Sequence, residues 1–148
     1  MLTKKGKYGL KAAVHLARLA PGETNQVAEI AEANQIPKKF LDVILGELRN
    51  AGFLTSKKGK SGGYKLARPP EEIIVGDLIR ALDGPLAPLP CASRNAFVPC
   101  EDCNLAACEV RRLMVKVRDA MGTVLDTYTL TQMRDLRQDP LAAFVDSI

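Results

Sequence analysis

Two short helix patterns separated by about three residues, with a glycine- and lysine-tipped hairpin directly behind them, constrain this chain more than any other feature. Thr24 or Asn25 caps the first helix of the pair, and Val27, Ile30 and Ala31 turn inward. After the break at Asn34-Gln35-Ile36, Pro37 falls at the first position of the next helix, where its missing N–H is not needed. That helix presents Phe40, Leu41, Ile44, Leu45 and Leu48 to a core, and Gly52 ends it. Two helices on so tight a turn read as a helix-turn-helix. Phe53 to Lys58 and Tyr64 to Ala67 read as strands joined by Gly59-Lys60-Ser61-Gly62-Gly63. The expected fold is therefore mainly α with a small β-hairpin wing: a winged helix-turn-helix.

The flanking segments complete the outline. A first helix from about Lys5 to Leu19 carries Tyr8, Ala12, His15, Leu16 and Leu19 on one face, with His15 expected in the core; Pro21-Gly22 stops it. Val75, Leu78, Ile79 and Leu82 mark a fourth helix that ends at Gly84. From Pro85 to Ala107 there is no periodicity, and every cysteine lies in or beside this stretch. The longest helix follows, from about Ala106 to Asp126, and Thr129 with Gln132 forms a capping box opening a last short helix with Leu130, Met133 and Leu136. The division expected is 1–70, a winged-helix DNA-binding domain; 71–84, a connecting helix; 85–108, a cysteine-rich cluster-binding loop; and 106–148, a dimerisation helix with the C-terminal helix.

Charge separates along the same line. Residues 1–70 carry a balance of +8 and residues 71–148 one of −4, so a polyanion-binding module is joined to something with another task. The N-terminal residues of the second helix of a helix-turn-helix meet base edges. Here those are Lys38, Lys39, Asp42 and Val43, with Phe40 and Leu41 turned inward. Lysine donates to guanine acceptors and Asp accepts from cytosine. Lys57, Lys58 and Lys60 with Ser61, Gly62 and Gly63 on the wing suit phosphates, the glycines letting backbone N–H groups approach closely. Lys4, Lys5, Lys7 and Lys11 flank them on the first helix. The plainer alternatives are a protein-interaction winged helix and a merely solvated lysine face.

The stripe of the longest helix is too extended for so small a domain to cover alone. Val110, Leu113, Val117, Met121 and Val124 are expected at the contact of a homodimer reading a palindromic double-stranded DNA operator; packing back on the same chain is the alternative. Cys91, Cys100, Cys103 and Cys108 follow C-x8-C-x2-C-x4-C, a spacing that suggests a soft metal centre. Zinc ribbons prefer two C-x2-C pairs, and only one is present. Iron–sulfur clusters also take four thiolates and tolerate irregular loops. Glu101, Asp102 and Glu109 are candidate oxygen ligands, each more simply read as solvated surface.

Nearly the whole chain resembles the IscR-like winged-helix transcription regulators. The resemblance runs through Leu2-Thr3-Lys4-Lys5-Gly6-Lys7-Tyr8-Gly9-Leu10, Ile36-Pro37-Lys38-Lys39-Phe40-Leu41 and the wing Gly59-Lys60-Ser61-Gly62-Gly63-Tyr64. It continues through Cys108-Glu109-Val110-Arg111-Arg112 and Tyr128-Thr129-Leu130. It implies a dimeric regulator, often a repressor, holding a [2Fe-2S] or [4Fe-4S] cluster; other members lack a cluster and sense through partner proteins. Members generally use three cysteines and a fourth, different ligand, in one branch a His three residues after the last cysteine; Arg111 stands there in this chain. Either the extra cysteine completes an all-cysteine site, or Cys100 or Cys103 is a spare thiol. An acidic ligand from the first helix, used by another branch, has no counterpart among Lys4, Lys5, Gly6, Lys7 and Tyr8.

Other classes fit less well. No run of about 18 apolar residues spans a membrane, and the basic N-terminus leads into a charged helix pattern rather than a signal core, which places the chain in the cytoplasm. One histidine, no nucleophile–base set and no phosphate loop after a parallel strand exclude an enzyme. An electron-transfer protein would leave the basic winged helix without a purpose. Structural zinc or a thiol-based redox switch at the same cysteines is the rival to the cluster.

Overall fold

The computed structural model describes residues 2–138; the expectations for 139–148 lie outside the described residues. Helices α1 (Lys4–Ala17), α2 (Val27–Asn34) and α3 (Lys38–Asn50) precede strands β1 (Leu54–Lys57) and β2 (Gly63–Leu66). Helices α4 (Val75–Asp83), α5 (Glu109–Leu125) and α6 (Leu130–Asp135) follow. The strands pair antiparallel, Leu54 with Leu66 through Lys57 with Gly63. This is the expected winged helix. No helix among the described residues is long and apolar enough to cross a membrane.

The core forms where the apolar stripes of α1, α3 and α4 meet. Leu41, Ile44, Leu45 and Leu48 of α3 are all within 1% of full burial, together with Ile30, Ile73, Leu78 and Leu130. The α2–α3 turn is tight because Gln35 closes α2 in the left-handed region, with φ 55°, and Ile36 then drops into the core. Gly9 lets α1 approach α4: a Cβ there would stand 2.1 Å from Leu82 Cδ1. Helix α6 returns to the winged-helix body, where Leu130 is fully buried and Arg134 Nη1 donates to Ala17 O.

Several local expectations are corrected. Neither Thr24 nor Asn25 caps α2; Gln26 stands at the cap, and its side chain makes no bond to the helix but donates to Lys60 O on the wing. Both predicted residues hold the wing instead: Thr24 Oγ1 donates to Ser61 O, and Asn25 exchanges backbone hydrogen bonds with Tyr64. His15 is only half-buried, because its ring bridges Asn25 Oδ1 at 2.7 Å and Asn34 Nδ2 at 3.2 Å, joining α1, the wing-bearing loop and the end of α2. Phe40 is 46% exposed rather than inward. It lies at the flank of the Leu41–Ile44–Leu45–Leu48 stripe and packs edge-on against Tyr8, ring centres 5.8 Å apart. Helix α5 starts at Glu109, not near Ala106, because the Cys108 thiol caps it by accepting from Arg111 N.

Gly63 has φ +136°, and a Cβ would lie 2.2 Å from Asn25 O. Gly63→Ala is expected to cost about 1–3 kcal/mol, read as a lower urea midpoint with an unchanged slope. An unchanged midpoint would show that the wing does not need this contact.

One ion pair joins α4 to the end of α5. Arg80 grips Asp126 through two bonds of 2.7 Å. The hydrogen bond from Arg80 holds the Asp126 carboxyl below the usual carboxylate range. The pair therefore stabilises the fold above the ordinary carboxylate value and stops doing so as pH falls through the lowered one. With the partners 33% and 41% exposed, solvent screening limits the effect, so Asp126→Asn costs at most about 1 kcal/mol at neutral pH. The gap to wild type is expected to narrow below the ordinary carboxylate value and to close as pH falls through the lowered one; a pH-independent gap in urea melts would contradict this.

Candidate DNA-binding face and cysteine site

Helix α3 leaves Lys38, Lys39, Asp42 and Val43 exposed on the side opposite the core, Val43 at 60%. Lys38 Nζ lies 3.3 Å from Asp42, one turn on, so the two form an exposed donor–acceptor pair. On the wing, Lys57, Lys58, Lys60 and Ser61 are exposed. Gly62 and Gly63 have a structural role that the sequence reading did not give them. Gly62 is buried, with a would-be Cβ 2.1 Å from Lys57 O, and Gly63 closes against Asn25. On α1, Lys4 and Lys7 are exposed, whereas Lys5 pairs with Glu47 at 2.6 Å and Lys11 donates to Asn34 O. The last two tie α1 to α3 and α2.

Helix α5 has no buried residue along its length. Val110, Leu113, Val117 and Val124 are 60%, 57%, 36% and 56% exposed. Met121 is half-buried and borders an apolar hollow shared with Leu10, Ile79 and Leu125. Among the described residues nothing covers this apolar stripe in a single chain.

The four cysteines do not form one group. The ligand atoms of Cys100, Asp102 and Cys103 lie within 4.8 Å of one another, with Cys100 Sγ donating to Asp102 Oδ1 at 2.8 Å. Hydrogen bonding to Cys100 is the chief cause that pushes the Cys103 thiol up to about 12, with smaller contributions from desolvation, the charge of Cys100 and Cys108. Cys91 is instead 7% exposed, in a 3₁₀ turn, Pro90–Ala92, packed on α5.

That turn is held by arginines to which the sequence reading gave no such role; it noted Arg111 only as a residue that cannot ligate. Arg111 Nε donates to Cys91 O at 2.8 Å and its guanidinium covers Phe97. Arg118 Nη1 donates to Ala92 O at 2.7 Å, and Arg94 reaches Asp119. The signal for them was spacing: Arg111 and Arg118 lie seven apart, on one helix face. Two gathered thiols beside a carboxylate, with Cys108 a few residues on, offer soft, anionic donors that fit a thiophilic metal or cluster.

A helix-turn-helix with a lysine-bearing wing, joined to an exposed apolar helix, defines a winged-helix transcription regulator. The chain belongs to the Rrf2 family, described as iron-dependent transcriptional regulators, whose pattern matches residues 2–135. It is 43% identical over 137 residues to an Rrf2-like HTH-type regulator of Rhodobacter capsulatus, covering 90% of this chain and 91% of that protein. CymR of Bacillus subtilis, described as the global cysteine regulator, superposes with a TM-score of 0.76 at 33% identity over 92% of this chain and 97% of that one. IscR of T. potens gives 0.72 at 30% identity, over 96% and 90%. These relatives regulate transcription; none is an enzyme.

Proposed function

We propose that this chain is a homodimeric repressor acting on a palindromic operator in the cytoplasm, with its DNA affinity set by a [2Fe-2S] or [4Fe-4S] cluster on the cysteine loop. The observation carrying this reading is the grouping of Cys100, Asp102 and Cys103 within 4.8 Å of one another, a few residues ahead of Cys108, which caps α5, the helix that offers its stripe to a second copy. The family description and the likeness to IscR support it. A cluster supplies a redox-labile crosslink between loop and helix. Cys108 caps α5 directly, and Arg111 and Arg118 carry the Cys91 turn on the same helix. A change in the loop is thereby passed to the dimer helix and to the spacing of the recognition helices, about 34–36 Å for successive major grooves. On α3, Lys38, Lys39, Asp42 and Val43 meet base edges; Lys57, Lys58, Lys60 and Ser61, with Lys4 and Lys7, meet phosphates.

Iron, acid-labile sulfide and zinc per monomer, measured on protein purified without oxygen, test the cofactor. Iron and sulfide in equal amounts with charge-transfer absorption support the cluster. Zinc alone, or no metal, overturns it in favour of structural zinc or a thiol switch at the same cysteines. The likeness to CymR and the separate burial of Cys91 favour that second reading.

A further inference from the structure

The hairpin ladder ends at Lys57 opposite Gly63, so the wing tip, residues 58–62, has no strand pairing of its own. A lysine carried on an unpaired tip loses its freedom on meeting a phosphate, which weakens binding. Within the tip, Gly62 N donates to Gly59 O at 3.0 Å. Three consecutive residues ahead of α2 hold the wing from outside. Thr24 Oγ1 donates to Ser61 O at 3.2 Å, and Gln26 Nε2 donates to Lys60 O at 2.9 Å. Between them, Asn25 N and O pair with Tyr64 at 3.1 and 2.7 Å. The bonds to Lys60 and Ser61 are solvent-exposed, so they add little to stability. What they fix is where the backbone of Lys60 stands.

Resting on the reading of the wing lysines as phosphate contacts, we propose that Thr24, Asn25 and Gln26 form a clamp that positions Lys60 for the DNA backbone, and that His15 anchors this clamp. These are positioning residues: they act through Lys60. Asn25 Nδ2 donates to Thr24 O, which leaves Oδ1 to accept from His15 Nε2 at 2.7 Å. Asn34 Nδ2 donates to Ile30 O and also faces His15 Nδ1 at 3.2 Å. Asn25 therefore needs a donor and Asn34 an acceptor, and the tautomer with its proton on Nε2 satisfies both. The ring thereby ties the clamp to α1 and to the end of α2, the helix that leads into α3.

Binding of a short random-sequence DNA duplex across a range of salt concentrations tests this, because phosphate contacts do not depend on sequence. Lys60→Ala is expected to lower the slope of log affinity against log salt by about 0.9 for each protomer on the DNA, a loss of about fivefold at about 0.15 M salt. Thr24→Val/Gln26→Leu keeps the lysine and removes both side-chain bonds to the tip. It is expected to lower the salt slope equally with an unchanged urea midpoint, and adding Lys60→Ala to it lowers the slope no further. His15→Leu is expected to match the clamp variant, whereas His15→Gln, which offers one donor and one acceptor, binds as wild type does. A clamp variant with the wild-type salt slope, or one whose loss adds in full to that of Lys60→Ala, overturns the proposal. So does weaker binding that follows a lowered urea midpoint at constant salt slope. Equal losses in His15→Leu and His15→Gln overturn the anchor. A Lys60→Ala protein with the wild-type salt slope removes the phosphate contact itself, and the clamp's role falls with it.

Discussion

A Leu113→Glu/Val117→Glu protein sediments as a monomer at micromolar concentration and binds a palindromic operator about 10²–10⁴-fold more weakly than wild type. Both side chains stand on α5, 57% and 36% exposed, in line with Val110 and Val124. Burying such a side chain is worth about 1.5–3 kcal/mol, and two copies contribute eight of them. That gross gain exceeds the association cost of about 4–15 kcal/mol only if most of the stripe is covered. Glutamates at two positions remove half of it and set like charges across the two-fold axis. A monomer keeps its winged helix, because no residue of α5 is buried in the single chain. What it loses is the second half-site, which in a dimer binds at an effective concentration set by the first. A variant that stays dimeric would place the interface elsewhere.

Removing charge from the wing has the second large effect. In a Lys57→Ala/Lys58→Ala/Lys60→Ala variant the slope of log affinity against log salt falls by about 2.7 for each protomer on the DNA, that is 0.9 for each phosphate contact. At about 0.15 M salt this weakens binding about a hundredfold for each half-site, by the same factor for all sequences. The three side chains are exposed at the hairpin, so the fold is unaffected. Lys38→Ala/Lys39→Ala behaves differently: it lowers discrimination at particular base pairs by about 1–3 kcal/mol each. Equal salt slopes for the wing variant and wild type would remove the wing from the DNA contact.

The winged helix was legible in the sequence because local signals decide it. Pro37 before an apolar 3.6-residue stripe, a glycine-closed hairpin and the Thr129–Gln132 capping box each act within a few residues, and the structure contains all three, with Pro37 at the N-cap of α3 rather than its first turn position. What was misread depends on distant partners. Asn25 is an excellent helix cap by propensity, but Tyr64 and His15 compete for it across the fold. Phe40 is apolar, yet its place at the edge of the stripe puts it on Tyr8 at the surface. The cysteine site shows the same limit. Spacing put four thiols within 18 residues, whereas two arginines from the following helix hold the Cys91 turn against α5 through its carbonyls. Long side chains reaching to backbone carbonyls leave no periodic trace, so the packing of the Cys91 turn on α5 was not readable from the sequence.

The most direct test of the account compares operator affinity before and after metal removal. The operator is first selected from a random-sequence library with anaerobically purified protein, and binding is then measured at matched salt for the metal-loaded and chelator-stripped forms. The account predicts that affinity for the selected sequence changes at least about tenfold, a shift of about 1.4 kcal/mol, while non-specific binding through the lysine face stays the same. Equal affinity of the two forms would contradict it, leaving a DNA-binding dimer whose cysteine loop does not control the recognition helices.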